Sequence, residues 1–327
     1  MTESDTIAIE VHGLAKRFGE VEAVSGASFT VNSDEIFGFL GPNGAGKTTT
    51  INMLTGLARP MGGRIAYFGR DYTENIKKAQ HLMGIVSDES NLYPEMTGFD
   101  NLCFCASLYG IGRKEREQRA HELLESFGLA DAGKRKFAGY SRGMKRRLTI
   151  AAGIIHRPHI LFLDEPTSGI DVASARQIRK LVSNLKTAGT TIFLTTHYIE
   201  EAERLCDRIA FIVEGKVARV DATSALLKQT EDEHIIELTL TTAIANLPEG
   251  IQQEFPDAVF QLQTANRMRA LTRGAISLAP LIRFLEDRGI AVTEARAVKA
   301  SLEEVFVRIT GIGAAKMKAE KERKNKQ

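Results

Sequence analysis

At 327 residues, with 43% hydrophobic and 26% charged side chains, the chain is long enough for two cored domains of ordinary globular composition. A net charge of +2 points to no polyanionic partner such as nucleic acid, and three cysteines (Cys103, Cys105, Cys206) are too few for a disulfide framework, which fits a reducing cytoplasm. The first ten residues are polar and acidic, unlike a signal peptide, and no apolar run approaches the ~18 residues of a membrane span.

Residues 7–11 alternate and predict a first strand. Lys16-Arg17-Phe18-Gly19 follows, and Phe18 has two readings: a strand-end aromatic covering a core edge, or a platform on which a purine base stacks. Residues 27–31 predict a second strand and residues 35–40 a buried one. Directly after it stands Gly41-Pro42-Asn43-Gly44-Ala45-Gly46-Lys47-Thr48, the pattern Gly, four residues, Gly-Lys-Thr, and residues 47–54 predict a helix. Strand, loop and helix in that order make a phosphate cradle. The glycines let backbone N–H groups wrap an anion, and the helix start adds free donors and its positive dipole end. Lys47 can reach the β- and γ-phosphates of a nucleotide, and the Thr48 hydroxyl can hold Mg2+.

A strand over 64–68, a short helix over 76–82 and a strand end at 84–86 lead into a different texture. Thr97 and Asp100 stand at capping-box spacing, and the helical pattern over 101–136 predicts a helical subdomain, about 88–139, inserted into an α/β core. Cys103 and Cys105 share its first helix as packing thiols. Ser141 opens the next helix, either as an N-cap before a solvated basic face (Lys145, Arg146, Arg147) or as a second anion site with its hydroxyl toward phosphate. Residues 160–164 form an unbroken apolar run ending in Asp164 and Glu165, the pattern of a central parallel strand whose carboxyl end faces a ligand. Beside a phosphate loop, Asp164 can bind Mg2+ and Glu165 can polarise an attacking water.

An amphipathic helix over 174–188 turns Ile178, Leu181, Val182 and Leu185 to a core. A strand over 190–195 runs almost directly into His197, which is either structural or a γ-phosphate contact. Residues 209–213 predict one more strand. From 225 to 311, strands (235–240, 258–262, 267–271, 290–297) and helices (281–288, 302–309) predict a small α+β domain with no catalytic constellation. Residues 312–327 are a basic tail, read over 316–327 as a frayed, solvated helix end.

In this order the motifs resemble the ATP-binding subunits of ABC transporters over residues 7–221. Gly41 to Thr48 matches the Walker A loop, Tyr140-Ser141-Arg142-Gly143-Met144 the family signature, and residues 160–164 the Walker B strand. Glu165 falls in the catalytic-glutamate position, Ser168-Gly169-Ile170-Asp171 in the D-loop, His197 at the switch histidine and Phe18 at the adenine-stacking position. The resemblance implies an α/β P-loop NTPase core over residues 1–224, with the inserted helical subdomain and the small C-terminal α+β domain beside it. It implies ATP held by Phe18, Gly41, Pro42, Asn43, Gly44, Ala45, Gly46, Lys47, Thr48 and Thr49, with Mg2+ on Thr48, Asp164 and Asp88. Hydrolysis then falls to Glu165, His197 and Lys47. It also implies an ATP-dependent head-to-tail homodimer, in which Ser141 and the Gly143 backbone of one subunit touch the γ-phosphate bound by the other.

Two positions depart from the family pattern. Asp88 stands where a glutamine is expected, adding negative charge near the triphosphate, and Arg142 replaces the first signature glycine, its cation able to favour phosphate or to reach the partner subunit. Residues 166–171 and 301–311 carry a closer resemblance to the daunorubicin-resistance-like subunits of ABC-2 type exporters. That implies export through a separately encoded permease, with this chain on the cytoplasmic face of the cell membrane. The competing reading is an ABC-type ATPase acting on ribosomes or DNA. A single ATPase motif set and a short Lys47-to-Ser141 connection, with no room for a long coiled coil, argue against it.

Overall fold

The computed structural model describes residues 6–228, 234–272, 277–299 and 301–312. β1 (Ile7–Phe18) and β2 (Val21–Asn32) form a long antiparallel hairpin. Both outrun the strands that alternation predicts, because their outer halves are solvated and lose the apolar period while still pairing, as Phe18 does with Val21. β3 (Ile36–Leu40) is buried at every residue and feeds the glycine loop, which opens α1 (Lys47–Leu54). β4 (Gly62–Tyr67) and β5 (Arg70–Asp71) complete the hairpin's sheet in the order β2-β1-β4-β5.

A 3-10 helix, Ile76–Leu82, leads to β6 (Met83–Val86), and the chain then leaves the sheet for α2 (Gly98–Leu108) and α3 (Arg113–Ser126). Thr97 caps α2 by accepting from the Asp100 N–H at 3.0 Å. The helical pattern predicted through residue 136 stops at Ser126, since Gly128 and Gly133 break it and only short 3-10 turns follow. α4 (Arg142–Ile154) returns to the core. It is followed by β7 (Ile160–Asp164), α5 (Val172–Thr187), β8 (Thr191–Thr196), α6 (Ile199–Leu205), β9 (Arg208–Val213) and β10 (Lys216–Ala222).

The central sheet runs β10-β9-β3-β8-β7-β6, parallel throughout except at the β10 edge. β3, β7 and β8 are neighbours and buried at every residue. Under their upper ends lie Phe29, Phe37, Phe39, Phe162 and Phe193, with ring centroids 5.4 to 5.9 Å apart, which lock the hairpin's sheet onto the central one. Register decides what meets at the carboxyl edge. Leu40 is level with Thr196, and Asp164 with Thr195. The residues that follow each strand, Gly41, Glu165 and His197, therefore emerge side by side, where open α/β sheets place their ligands.

The chain divides into two compact units, one reaching residue 223 and one spanning 224–311. The second is opened by α7 (Thr223–Lys228) and contains β11 (His234–Leu240), α8 (Ile251–Glu254), β12 (Ala258–Thr264), β13 (Arg267–Thr272), α9 (Leu278–Glu286), β14 (Val292–Lys299) and α10 (Leu302–Thr310). Its antiparallel sheet, ordered β12-β13-β11-β14, packs Ile236, Leu238 and Leu240 into one core with Leu281, Phe284 and Leu285 of α9. The predicted helix end at 316–327 lies outside the described residues. No helix among the described residues is long and apolar enough to cross a membrane.

Candidate functional site

The glycine loop is shaped by steric necessity. Gly46, the residue before α1, has φ 104°, and a Cβ there would collide with the Ala23 carbonyl of β2. Lys47 is buried, with its ammonium donating to the carbonyls of Gly41 (2.8 Å) and Pro42 (3.1 Å) and lying 3.3 Å from Glu165 Oε1. The Thr48 hydroxyl donates to Asp164 Oδ2 at 2.9 Å, and the Thr195 hydroxyl donates to Asp164 Oδ1.

Glu165 sits in the left-handed region at φ 47°, a conformation that costs a side-chain-bearing residue about 1–2 kcal/mol. Its N–H is held there by the Thr195 carbonyl (3.1 Å) and hydroxyl (3.2 Å). This bend sends the carboxylate back over the strand end, where Oε2 meets His197 Nδ1 at 2.7 Å. Burial alone would raise the Glu165 carboxyl, but the His197 hydrogen bond and the Lys47 charge outweigh it and hold it below the usual glutamate range. A carboxylate held ionised in this way is equipped to orient and polarise water. The other nitrogen of His197, Nε2, is buried and has no hydrogen-bond partner among the described residues.

Asn43, Gly44, Gly46, Lys47, Thr48, Thr49, Asp88, Asp164, Glu165 and His197 all line one cavity of about 820 Å3, within the size range of small-molecule sites. Gly41, Pro42 and Ala45 form the body of the loop beneath it. Asp88 lines both this cavity and a smaller one of about 370 Å3. Partial desolvation, reinforced by Asp164 and Glu165 nearby, pushes its carboxyl up against the pull of Arg146. Among the described residues no three His, Cys, Asp or Glu side chains are grouped to hold a metal. The oxygens of Thr48, Asp164 and Asp88 on one cavity form a sparse, hard donor set of the kind Mg2+ uses alongside phosphate.

Besides these loop residues, three more predicted site residues lie off this cavity. Phe18 is 54% exposed at the hairpin end, under the Lys16 ammonium at 5.1 Å from its ring, so it covers no core edge; its strand partner Val21 does line the cavity. Ser141 is the N-cap of α4, accepting from the Met144 N–H at 3.3 Å, with its side chain exposed. Gly143 lets α4 pass α5 closely, because a Cβ there would strike Ser174.

The basic run after Ser141 is not a solvated face. Arg146 is buried, its guanidinium donating to the carbonyls of Ser87, Asp88 (3.2 Å), Asp164 (2.5 Å) and Pro166 (3.0 Å). It pins the loop after β6 to the end of β7. Its position was open to detection, since Gly143, Arg146 and Ile150 share a buried face at helical spacing. Sequence reasoning also passed over α6 and its buried Glu201, which accepts from the hydroxyls of Thr167 (2.7 Å) and Thr196 (2.9 Å).

A buried parallel strand feeding a glycine loop, with lysine and threonine at the following helix start and acids at the end of the next strand but one, defines a P-loop nucleotide-triphosphate-binding protein. Residues 24–168 match the family model described as ABC transporter. The chain is 37% identical to the daunorubicin/doxorubicin resistance ATP-binding protein DrrA of Streptomyces peucetius, covering 95% of this chain and 94% of the relative. It is 38% identical to the linearmycin resistance ATP-binding protein LnrL of Bacillus subtilis (strain 168), over 79% and 80% of the two chains. Among solved structures, a dimeric post-hydrolysis ATP-binding cassette bound to ADP and phosphate matches with a TM-score of 0.61 at 25% identity, covering 66% of this chain and 98% of that one. The chain belongs to the ATP-binding subunits of ABC transporters, in the daunorubicin-resistance-like group. It binds and hydrolyses ATP, on an α/β core with inserted helices and a small C-terminal α+β unit.

Proposed function

We propose that this protein is the ATP-hydrolysing subunit of an ABC-2 type exporter, held by its permease at the cytoplasmic face of the membrane. The observation that carries the reading is the convergence of Lys47, Asp164, Glu165 and His197 on one cavity at the ends of three adjacent strands. Lys47 exchanges its loop carbonyls for the β- and γ-phosphates. The loop N–H groups from Gly41 to Thr49 wrap the phosphates, and the adenine stacks on Phe18. Thr48 and Asp164, with Asp88 on the same cavity, would hold Mg2+, which would supply neutralising charge to the triphosphate. Glu165 orients the attacking water, and His197, fixed through Nδ1, turns its Nε2 to the γ-phosphate.

Ser141 is exposed and lies off the chain's own cavity, although its neighbour Arg142 lines it, which supports a role for the Ser141 hydroxyl on the nucleotide of a second subunit in a head-to-tail dimer. The dimeric relative lends weight to that assembly. ATP bridges two surfaces that ADP cannot, so binding closes the dimer, and hydrolysis reopens it. The relatives are named for resistance to different drugs, which supports placing cargo choice in the permease.

The test is Glu165→Gln, which keeps ATP binding, loses turnover by at least about a hundredfold, and accumulates an ATP-dependent dimer. Tagged Glu165→Gln protein, extracted in mild detergent with ATP and Mg2+, should bring down a polytopic membrane protein in stoichiometric amount. Recovery of ribosomal or DNA-bound proteins with no membrane partner would overturn the transport assignment while leaving the ATPase in place.

A further inference from the structure

Glu201 is buried at 4% exposure, yet it makes no salt bridge among the described residues. Its polar partners there are two hydroxyls, one on the turn after β7 and one at the end of β8. Thr167 belongs to the turn after β7, two residues beyond Glu165, and donates to Oε1 at 2.7 Å. Thr196 ends β8, immediately before His197, and donates to Oε2 at 2.9 Å while accepting from the Tyr198 N–H at 3.0 Å. A carboxylate so placed costs more than an apolar side chain of the same size. Helix-dipole stabilisation does not account for it, because Glu200, exposed in the same first turn of α6, already provides that.

The arrangement closes a ring. Glu165 runs through Pro166 to Thr167, across Glu201 to Thr196, along the chain to His197, and back to Glu165 through the 2.7 Å Nδ1–Oε2 contact. The strand ladder fixes β7 against β8 only as far as the Glu165 N–H, which reaches the Thr195 carbonyl at 3.1 Å. Beyond that point β7 and β8 share no ladder, although β3 still holds Thr196 through Leu40 and the Gly41 N–H, and Glu165 is in a left-handed conformation that a free turn would relax.

We propose that Glu201 is a positioning residue, locking the turn after β7 to the turn after β8 and thereby setting the spacing of Glu165 and His197. The proposal rests on the reading that these two residues carry hydrolysis. Glu201 does not line the nucleotide cavity, and it acts on the reacting groups only through Thr167 and Thr196.

Glu201→Gln preserves shape and one acceptor oxygen, and a threonine hydroxyl can reverse to accept from the new amide, so the fold is kept while the clamp loosens. Misplacement of catalytic groups by about 1 Å costs up to a hundredfold in rate. The expected result is a kcat lowered about ten- to a hundredfold, with KM and equilibrium ATP affinity within about twofold. Thr167→Val cuts the same tie from its other end and should give a similar kcat, and the double variant should be no slower than Glu201→Gln alone. If Glu201→Gln fails to fold, Thr167→Val carries the same expectation.

A kcat within about twofold of the parent, or ATP affinity falling in step with kcat, overturns the proposal. Glu165→Gln is assayed alongside. Full activity there would remove the catalytic reading itself, whereas an inactive Glu165→Gln beside a fully active Glu201→Gln would sink the clamp alone.

Discussion

Two clusters of charge, one in each unit, are built to opposite ends. In the C-terminal unit Glu237 receives Arg269 on Oε1 (2.8 and 2.5 Å) and Arg296 on Oε2 (2.9 and 2.6 Å). Arg269 also reaches Glu304 at 3.3 Å, and Glu304 in turn closes the capping box of α10 on the Ser301 N–H at 2.7 Å. Each charge there faces its opposite. In the ATPase unit Lys47 meets Glu165 only at 3.3 Å and donates to loop carbonyls, His197 Nε2 has no partner among the described residues, Glu165 is bent into a strained backbone, and Asp88 crowds toward Asp164 and Glu165. The first cluster is saturated and holds a fold together. The second carries bonding capacity that its own residues do not use, and that is where chemistry is to be sought.

The widest separation between the clusters should appear when the lysine is cut. Lys47→Ala removes the one ammonium at the base of the loop and should weaken equilibrium binding of a fluorescent ATP analogue by about a hundredfold or more, as loss of a buried charged partner does. Its melting temperature should change by only a few degrees, because Glu165, the charged partner of Lys47, keeps its hydrogen bond to His197. An affinity within about threefold of the parent would place Lys47 with Arg269 among structural charges.

The central strands and the glycine loop were legible because each rests on local chemistry. An unbroken apolar run reads as a parallel strand whatever surrounds it, and Lys47 to Leu54 reads as a helix from the loop that starts it. The outer halves of β1 and β2 and the edge strand β10 were not legible, since their ladders are made with solvated residues that carry no period. In the site, single motifs were visible but their joints were not. Arg146 looked like one of three surface cations, and only the fold reveals that four carbonyls from two separate loops converge on it. Glu201 was hidden for the same reason, because its partners Thr167 and Thr196 lie 34 and 5 residues away and meet only through strand order.

A subtler break concerns the two departures from the family pattern. Asp88 adds a negative charge to the nucleotide cavity and Arg142 a positive one, and both line it, together with the smaller adjoining cavity of about 370 Å3. Among the described residues Arg142 makes one hydrogen bond, a long one of 3.4 Å to the Gly169 carbonyl, which leaves its charge available to the cavity. If the two offset each other, Arg142→Gly should raise KM for MgATP about three- to tenfold, and adding Asp88→Gln should bring it back to within about twofold of the parent. A double variant that keeps the raised KM of Arg142→Gly would show that the two charges do not offset each other.

The smallest effect belongs to the saturated cluster. Glu237→Gln leaves Arg269 and Arg296 facing each other across a neutral amide, yet it should leave ATPase turnover within about twofold, since the cluster lies in the other unit. What it should move is thermal stability, by a few degrees, with a sign fixed by linkage. Burial tends to raise the Glu237 carboxyl, but hydrogen bonds from Arg269 and Arg296 and their charges hold it below the usual glutamate range. A carboxyl lowered in the folded state contributes stability that is present above its unfolded value, about 4.3, and is lost as pH falls through the lower folded value. The gap in melting temperature between parent and Glu237→Gln should therefore be full at pH 7 and close as the pH drops below about 4. A gap that persists unchanged into acid would show that packing, not charge, is what Glu237 contributes, and the contrast between the two clusters would lose its electrostatic basis.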